Sequence, residues 1–281
     1  MNIEGKQRMK IVAGMGVFEE EDFIESALSS LYEWCDTILV CEGAWKTTVQ
    51  KIGSSTSRDR TTEIINDFSD PDKKIKLFHF SGKDATEHRD FCLHQALKYK
   101  PDWYVVADGD EIYHEKDFPT LKDVLSSTKS ESLSMKCRLY WNDLYHYEYW
   151  GAPARFFKVK DRNPQALGSC RIKHRNGSQF REEKCKTVTV FHPSYVRNLE
   201  RQKTKIAHRT LDNNKQFPHT IDEDGNTWRG CNLGSFGGTQ QKWFENLKIG
   251  TREELPVFLQ NHKLIDKRWV LDQQNSVLQK K

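Results

Sequence analysis

A run of aromatic and β-branched residues, Trp103-Tyr104-Val105-Val106-Ala107, ends abruptly in three carboxylates around one glycine, Asp108-Gly109-Asp110-Glu111. An apolar run of that length reads as a buried strand, so the acids fall at the carboxyl edge of a sheet, where open α/β sheets bind ligands. Acids packed so closely repel one another, and a hard divalent cation that accepts oxygen ligands, Mg2+ or Mn2+, is the simplest offset. Gly109 is expected to let the backbone turn sharply and to leave room for a bulky anion such as a diphosphate. The plain alternative for an isolated Asp-x-Asp is a solvated acidic turn, so the surroundings decide.

At 281 residues the chain can bury a substantial core as one α/β domain with a subdomain. With 36% hydrophobic and 30% charged residues it reads as a soluble, polar protein, and its net charge of +4 is too evenly spread to imply nucleic acid. No apolar stretch approaches the roughly 18 to 20 residues of a membrane span, and residues 1–8 lack the apolar core of a signal peptide, so a cytoplasmic location is expected. The seven cysteines form no Cys-x-x-Cys pair, which favours reduced structural thiols over disulfides or a zinc site.

Taken in order, Lys10 to Ala13 reads as a strand that leaves the sheet at Gly14-Met15-Gly16. Turn formation is the plain role of these glycines, with Gly14 also a candidate on the nucleotide side. Phe23, Ile24, Ala27, Leu28 and Leu31 recur at helical spacing over Glu20 to Glu33, and Thr37 to Cys41 is a second strand ending at Glu42. A polar loop from Gly43 to Thr56 precedes Ser57-Arg58-Asp59-Arg60-Thr61, where Ser57 or Asp59 can cap a helix running through Ile64, Ile65 and Phe68. Ile75 to Phe80 is a third strand, and Ala85 to Lys98 a helix with Arg89, a candidate for binding the nucleotide, near its start. Strand and helix alternate as in nucleotide-binding sheets, without a Walker lysine or a Gly-x-Gly-x-x-Gly.

These features resemble, in order, those of family 2 glycosyltransferases. The matching pieces are Phe18-Glu19-Glu20, Ser30-Leu31, Glu42, Ser57-x-Asp59-x-Thr61 and Asp108-Gly109-Asp110-Glu111. The chain departs from that pattern at Phe18, where the family has Asn, and in the long stretch between Glu42 and Ser57. The resemblance implies a GT-A fold: α/β, a mixed and mainly parallel sheet flanked by helices, with a C-terminal acceptor-side subdomain. Residues 1–130 would form the nucleotide-sugar half, and residues 131–281 the acceptor half with a C-terminal lid and helical region. It also implies a hexosyltransferase-like enzyme that uses Mn2+ or Mg2+ and inverts the anomeric carbon. Glu42, Asp59, Arg89 and Asp108 would lie against the nucleotide.

In the second half, residues 140–151 are densely aromatic, Tyr140-Trp141-Asn142-Asp143-Leu144-Tyr145-His146-Tyr147-Glu148-Tyr149-Trp150-Gly151. Sugars stack their C–H faces on such rings, so this is a candidate acceptor platform, the plain alternative being an aromatic core. Pro153-Ala154-Arg155-Phe156-Phe157-Lys158 resembles the strand that follows the acceptor region in that family. Arg175 after His174 stands where many relatives carry the Glu of a His-Glu pair, so another acid must be the base. Asp143, beside Asn142, is the first candidate and Glu148 the second, with flanking rings expected to raise the carboxyl pKa. Thr187 to Phe191 reads as a strand delivering His192, which the resemblance makes a third metal ligand with Asp108 and Asp110; a structural histidine is the alternative. A basic helix follows, then a glycine-rich stretch from Asn213 to Gly238 that could close over the site.

The expected partners are a nucleotide-sugar donor, UDP-sugar first, and a glycan or other hydroxyl acceptor, without nucleic acid. The rival readings are a sugar-nucleotide nucleotidyltransferase, which would need a phosphate-binding loop after the first strand, and a non-catalytic carbohydrate- or nucleic-acid-binding protein.

Overall fold

The computed structural model describes residues 8–141, 143–151, 153–160, 162–166, 172–197, 201, 220–221, 228–229 and 247–267. Four strands, β1 (Ile11–Val17), β2 (Thr37–Glu42), β3 (Ile75–His79) and β4 (Trp103–Asp108), run parallel in the order β4-β1-β2-β3. Helices α1 (Ile24–Tyr32), α2 (Lys46–Ile52), α3 (Thr61–Asp67) and α4 (Ala85–Leu97) connect them, and Asp84 caps α4 by accepting the Glu87 N–H at 2.9 Å. Strand side chains alternate between two faces. Ile11, Ala13, Met15, Ile38, Val40, Trp103 and Val105 pack with Ile24, Leu28 and Leu31 of α1. Val12, Leu39, Tyr104 and Val106 pack with Leu93 and Ala96 of α4. Burial on both faces explains why these strands read as nearly unbroken apolar runs.

The second half extends the same sheet. After β5 (Ile112–Tyr113) and α5 (Phe118–Ser127) come β6 (Ser132–Trp141), β7 (His146–Tyr149), β8 (Ala154–Lys158), β9 (Pro164–Ala166), β10 (Ile172–His174) and β11 (Glu182–Tyr195). β8 lies antiparallel between β4 and β6, so the sheet is continuous across residue 130. β11 pairs parallel with β6 and antiparallel with β5. β12 (Thr220–Ile221) and β13 (Trp228–Arg229) pair with each other, β14 (Lys248–Ile249) extends the sheet beside β7, and a short helix α6 (Val257–Gln260) packs on α1. The fold is the mixed α/β sheet flanked by helices that the sequence predicts. Cys35, Cys41, Cys92, Cys137 and Cys185 are buried free thiols. Among the described residues no helix is long and apolar enough to cross a membrane.

Several boundaries move. β1 does not end at Ala13: Gly14 and Gly16 lie inside it, so they make no turn. They face α4, and a Cβ on Gly14 would overlap the Tyr104 hydroxyl and come within 2.7 Å of its Cζ. The stretch expected as a loop after Gly43 contains α2, and β11 is 14 residues long, with His192 inside the strand rather than beyond its end. Asn142, the glycine-rich stretch before and after β13 and most of the expected basic helix lie outside the described residues.

Candidate active site

Asp108 ends β4, and the turn that follows is closed by the Glu111 N–H donating to the Asp108 carbonyl at 3.1 Å. β5 begins immediately afterwards and pairs with β11 through Ile112↔Phe191 and Tyr113↔Val190. One step further along that register His192 comes opposite Glu111. Backbone pairing therefore assembles the centre from segments about 80 residues apart.

Asp108, Glu111 and His192 each present a possible ligand atom, and these atoms lie within 4.8 Å of one another. Asp110 is beside them, its Oδ1 3.1 Å from His192 Nε2. Asp110, Glu111 and His192 are buried, whereas the Asp108 side chain keeps 28% of its surface exposed, making it the acid of the turn that a ligand can reach. Two carboxylates and an imidazole are a donor set suited to Mn2+ or Mg2+. His192 Nδ1 is buried and has no hydrogen-bonding partner among the described residues. These features fit a divalent cation. The group differs from the expected set of Asp108, Asp110 and His192: Glu111, noticed in the sequence only as part of the acidic run, stands in it, while Asp110 pairs with His192 and Arg197.

Each carboxylate also has an arginine. Arg89 of α4 donates to the Ala107 carbonyl at 2.7 Å and pairs with Asp108. Arg155 of β8, fully buried, clasps Glu111 with its Nε 3.0 and 2.8 Å from the two oxygens and its Nη2 paired to Oε1, and lies 3.8 Å from Asp108. Arg197 reaches Asp110 at 3.1 Å and also pairs with Glu20 and Asp22. Burial alone would lower the Arg197 pKa, but Glu20, Asp110 and Asp22 raise it above its ordinary value. The acids, for which a divalent cation is the simplest offset in the sequence, also have guanidinium partners: the buried Arg155 and Arg197 and the partly exposed Arg89. The space above Gly109, expected to receive an anion, is filled by Glu20, whose Cγ would lie 3.0 Å from a Cβ there.

The other candidates have local partners of their own. Asp59 accepts the Thr61 N–H at 3.0 Å at the start of α3 and Arg201 at 2.8 Å. Burial pushes its carboxyl up, but bonds from Thr61 and Arg201 outweigh this and hold it below its ordinary value. Ser57, the other capping candidate, instead accepts the Glu19 N–H at 2.8 Å. Glu42 is fully buried at the end of β2, accepting the Ser57 N–H at 2.6 Å and lying 2.8 Å from His79 Nδ1. Gly14 stands in mid-strand against Tyr104, where packing accounts for it.

The aromatic segment divides by strand face. Tyr140 and Tyr147 join the core, as in the plain reading of that segment. Glu148, Leu139 and His192 are in register across β7, β6 and β11, so they share a face, with Glu148 and His192 about 10 Å apart along the backbone at two strand spacings. Glu148 accepts the Trp141 indole N–H at 3.2 Å; Trp141 stacks on Tyr195 with centroids 4.0 Å apart, and the half-exposed Trp150 ring lies 6.1 Å from His192. Burial raises the Glu148 pKa, and the Trp141 bond offsets this only in part. Asp143 differs. Its carboxylate accepts the Tyr145 and His146 backbone N–H groups at 2.8 Å each and lies 2.8 Å from His146 Nδ1. Burial pushes its pKa up, but the His146 ring and these backbone bonds outweigh it and leave the pKa lowered. That reverses the raised value expected of Asp143.

No protein-family model and no curated protein matches the sequence. Among solved structures the chain is similar to S. aureus TarS 1-349 in complex with UDP-GlcNAc, at 12% identity over 73% of this chain and 68% of that one, with a TM-score of 0.44. It is likewise similar to the mannosyltransferase PcManGT from Pyrobaculum calidifontis in complex with GDP-Man and Mn2+, at 12% identity over 74% and 64% of the two chains and a TM-score of 0.43. Against S. aureus TarS 1-349 in complex with UDP the match covers 47% of this chain and only 36% of that chain, at 16% identity and a TM-score of 0.36.

Proposed function

We propose that the chain is a GT-A-type glycosyltransferase that moves a sugar from a nucleoside diphosphate donor, UDP-sugar first, to a hydroxyl of a glycan. The observation that carries this reading is the convergence of Asp108, Glu111 and His192 at the carboxyl edge of the parallel strands, with Glu148 on the same face as His192. A divalent cation, Mn2+ or Mg2+, would be held by Asp108, Glu111 and His192, with Asp110 orienting the imidazole. It would supply charge stabilisation to the departing diphosphate.

Glu148 is the base. A carboxylate with a raised pKa takes the acceptor hydroxyl proton more readily than the firmly bonded Asp143. The acceptor oxygen then bonds to the anomeric carbon as the bond from that carbon to the diphosphate oxygen breaks, in line and with inversion. Arg89, the most exposed of the three arginines that pair with the turn, receives charge on the leaving group. Trp150 offers a ring face to the acceptor sugar. Against a nucleotidyltransferase stands the strand position of Gly14 and Gly16, which leaves no glycine loop after β1 to cradle phosphates.

The test is a thermal-shift panel of UDP-, GDP-, CMP- and dTDP-sugars with Mn2+ or EDTA. A ligand bound only by the native state raises the melting temperature. At least one diphosphate donor should stabilise the protein in Mn2+ and lose most of that effect in EDTA; no shift with any donor would overturn the reading.

A further inference from the structure

A group of nucleophilic and titratable side chains that take no part in sugar transfer lies between β2 and α4, beside Arg89. β2 carries Cys41 two residues after Leu39, on the face that packs against α4. On α4, His88 and Cys92 are one turn apart and share a side of the helix. All three are buried. β1 places Gly16 opposite Cys41, and a Cβ on that glycine would come within 3.2 Å of His88 Nδ1 and 3.1 Å of Arg89 Nη1. The glycine thus makes room for the α4 side chains beside the thiol. The Cys41 and Cys92 thiols hydrogen-bond each other, and His88 also bonds Cys92.

These surroundings suit Cys92 to oxidation. Burial pushes its pKa up, but the bonds from Cys41 and His88 and the charges of His88 and Arg89 outweigh burial and hold it below its ordinary value. The thiolate is the form that reacts. Cys41 shows the reverse: its bond to Cys92, and burial after it, raise its pKa and leave it the proton-bearing partner. Burial chiefly raises the Tyr104 pKa, and charge on Cys92 and Cys41 raises it further, so this hydroxyl stands close to both sulfurs. The Tyr104 hydroxyl and His88 Nε2 are buried without a hydrogen-bonding partner among the described residues. Polar atoms are therefore on hand for an oxygen placed on sulfur. Cys35, by contrast, is a buried thiol whose pKa is raised, chiefly by burial.

We propose that Cys41 and Cys92 are an oxidation-sensitive thiol pair, closed to a disulfide by a hydroperoxide, and that closure draws Arg89 off Asp108. The Cys92 sulfur attacks one peroxide oxygen and the O–O bond breaks, leaving Cys92 as a sulfenic acid while the departing hydroxide takes up the Cys92 proton as water. The Cys41 sulfur then attacks the Cys92 sulfur. The S–S bond forms as the sulfenic S–O bond breaks, and the hydroxyl leaves with the Cys41 proton as a second water. The two thiols lose two electrons and the peroxide gains them. Local opening of α4 admits so small an oxidant. A disulfide is about 2 Å long, shorter than a hydrogen-bonded contact between two sulfurs, so α4 must shift toward β2. Arg89, on α4 one turn before Cys92, donates to the Ala107 carbonyl at 2.7 Å and pairs with Asp108, contacts that depend on where α4 sits. The effect on the donor rests on the donor-binding reading above; the formation of the disulfide does not.

Purified protein is treated with hydrogen peroxide, unfolded, alkylated, and analysed by mass spectrometry and non-reducing peptide mapping, beside dithiothreitol-reduced protein and Cys41→Ala. The expected result is two fewer alkylated thiols than in the reduced protein, mapped to a Cys41–Cys92 cross-link that dithiothreitol reverses and that Cys41→Ala does not form. Binding of UDP- or GDP-sugar with Mn2+ should weaken about 10-fold on oxidation, the scale of losing one hydrogen bond to a charged group, and recover on reduction. Recovery of Cys41 and Cys92 as free thiols after peroxide, or cross-linked only to other cysteines, would overturn the pair. A mapped Cys41–Cys92 disulfide with unchanged donor affinity would overturn the claim on Arg89. If no donor binds even the reduced protein, the donor reading fails, and the peptide map still decides the pair.

Discussion

Replacing Arg155 with Met keeps much of the aliphatic bulk while removing a buried guanidinium that holds Glu111 through three contacts and approaches Asp108 at 3.8 Å. Glu111 would then be a fully buried carboxylate whose remaining identified donor is the Asp108 N–H at a long 3.4 Å. Breaking a buried pair by removing one partner costs about 3–5 kcal/mol, chiefly because a charge is left uncompensated. For a chain of this size that corresponds to a fall of roughly 10 °C in melting temperature. Urea unfolding followed by circular dichroism measures it directly. If the cost is the stranded charge rather than lost packing, adding Glu111→Gln to Arg155→Met should recover at least about 2 kcal/mol, since removing both charges of a buried pair costs far less than removing one. A loss below about 1 kcal/mol in Arg155→Met, or a double variant no more stable than the single, would refute the argument that Arg155 neutralises Glu111.

Three other predictions follow from the same geometry. Glu148→Gln should cut turnover about 100-fold or more with donor affinity unchanged. In the wild type the rate should rise with pH through a carboxylate pKa above the ordinary range, as burial predicts, and this limb should vanish in the variant; a persisting limb in steady-state kinetics would place the base elsewhere. Asp143, with its folded pKa lowered, contributes stability that is fully present above its unfolded pKa and is lost as pH falls through the folded one. Asp143→Asn should therefore flatten that acid limb in melting-temperature measurements while sparing turnover, and an inactive but stable variant would restore Asp143 as the base. Gly14→Ala should destabilise by about 1–3 kcal/mol through overpacking against Tyr104, as read by urea unfolding, and Tyr104→Phe in the same chain should recover part of it.

The parallel strands were legible because burial on both faces leaves apolar runs such as Val105-Val106-Ala107, and the acids at the end of β4 marked the sheet edge. β1 was cut short because its two glycines read locally as a turn, whereas the reason for Gly14 is a tyrosine 90 positions along the chain. α2 was missed because Lys46-Thr47-Thr48-Val49-Gln50 carries no apolar period, and the start of β11 because Glu182-Glu183-Lys184 looks solvated, as it is. The arginine partners were the hardest to anticipate. Arg155 and Arg197 sit 44 and 87 residues from the acids they neutralise, and nothing local distinguishes a buried guanidinium from an exposed one. Arg155 did lie in a segment singled out by resemblance, and that was the only available signal. For the proposed base, the aromatic segment supplies both candidates, but a choice between Asp143 and Glu148 depends on which backbone N–H groups turn toward which carboxylate, and that is set by the chain's path between β6 and β7.

The most direct test of the account is donor cleavage. Purified protein is incubated with UDP- and GDP-sugars, Mn2+ and a panel of mono- and oligosaccharide acceptors, and the released nucleoside diphosphate is quantified by anion-exchange chromatography beside Asp108→Asn. The account predicts release of UDP or GDP by the wild type, dependent on Mn2+ and on acceptor, and its near-complete loss in Asp108→Asn. Release by Asp108→Asn at the wild-type rate, or no cleavage of any donor by a folded wild type, would contradict it.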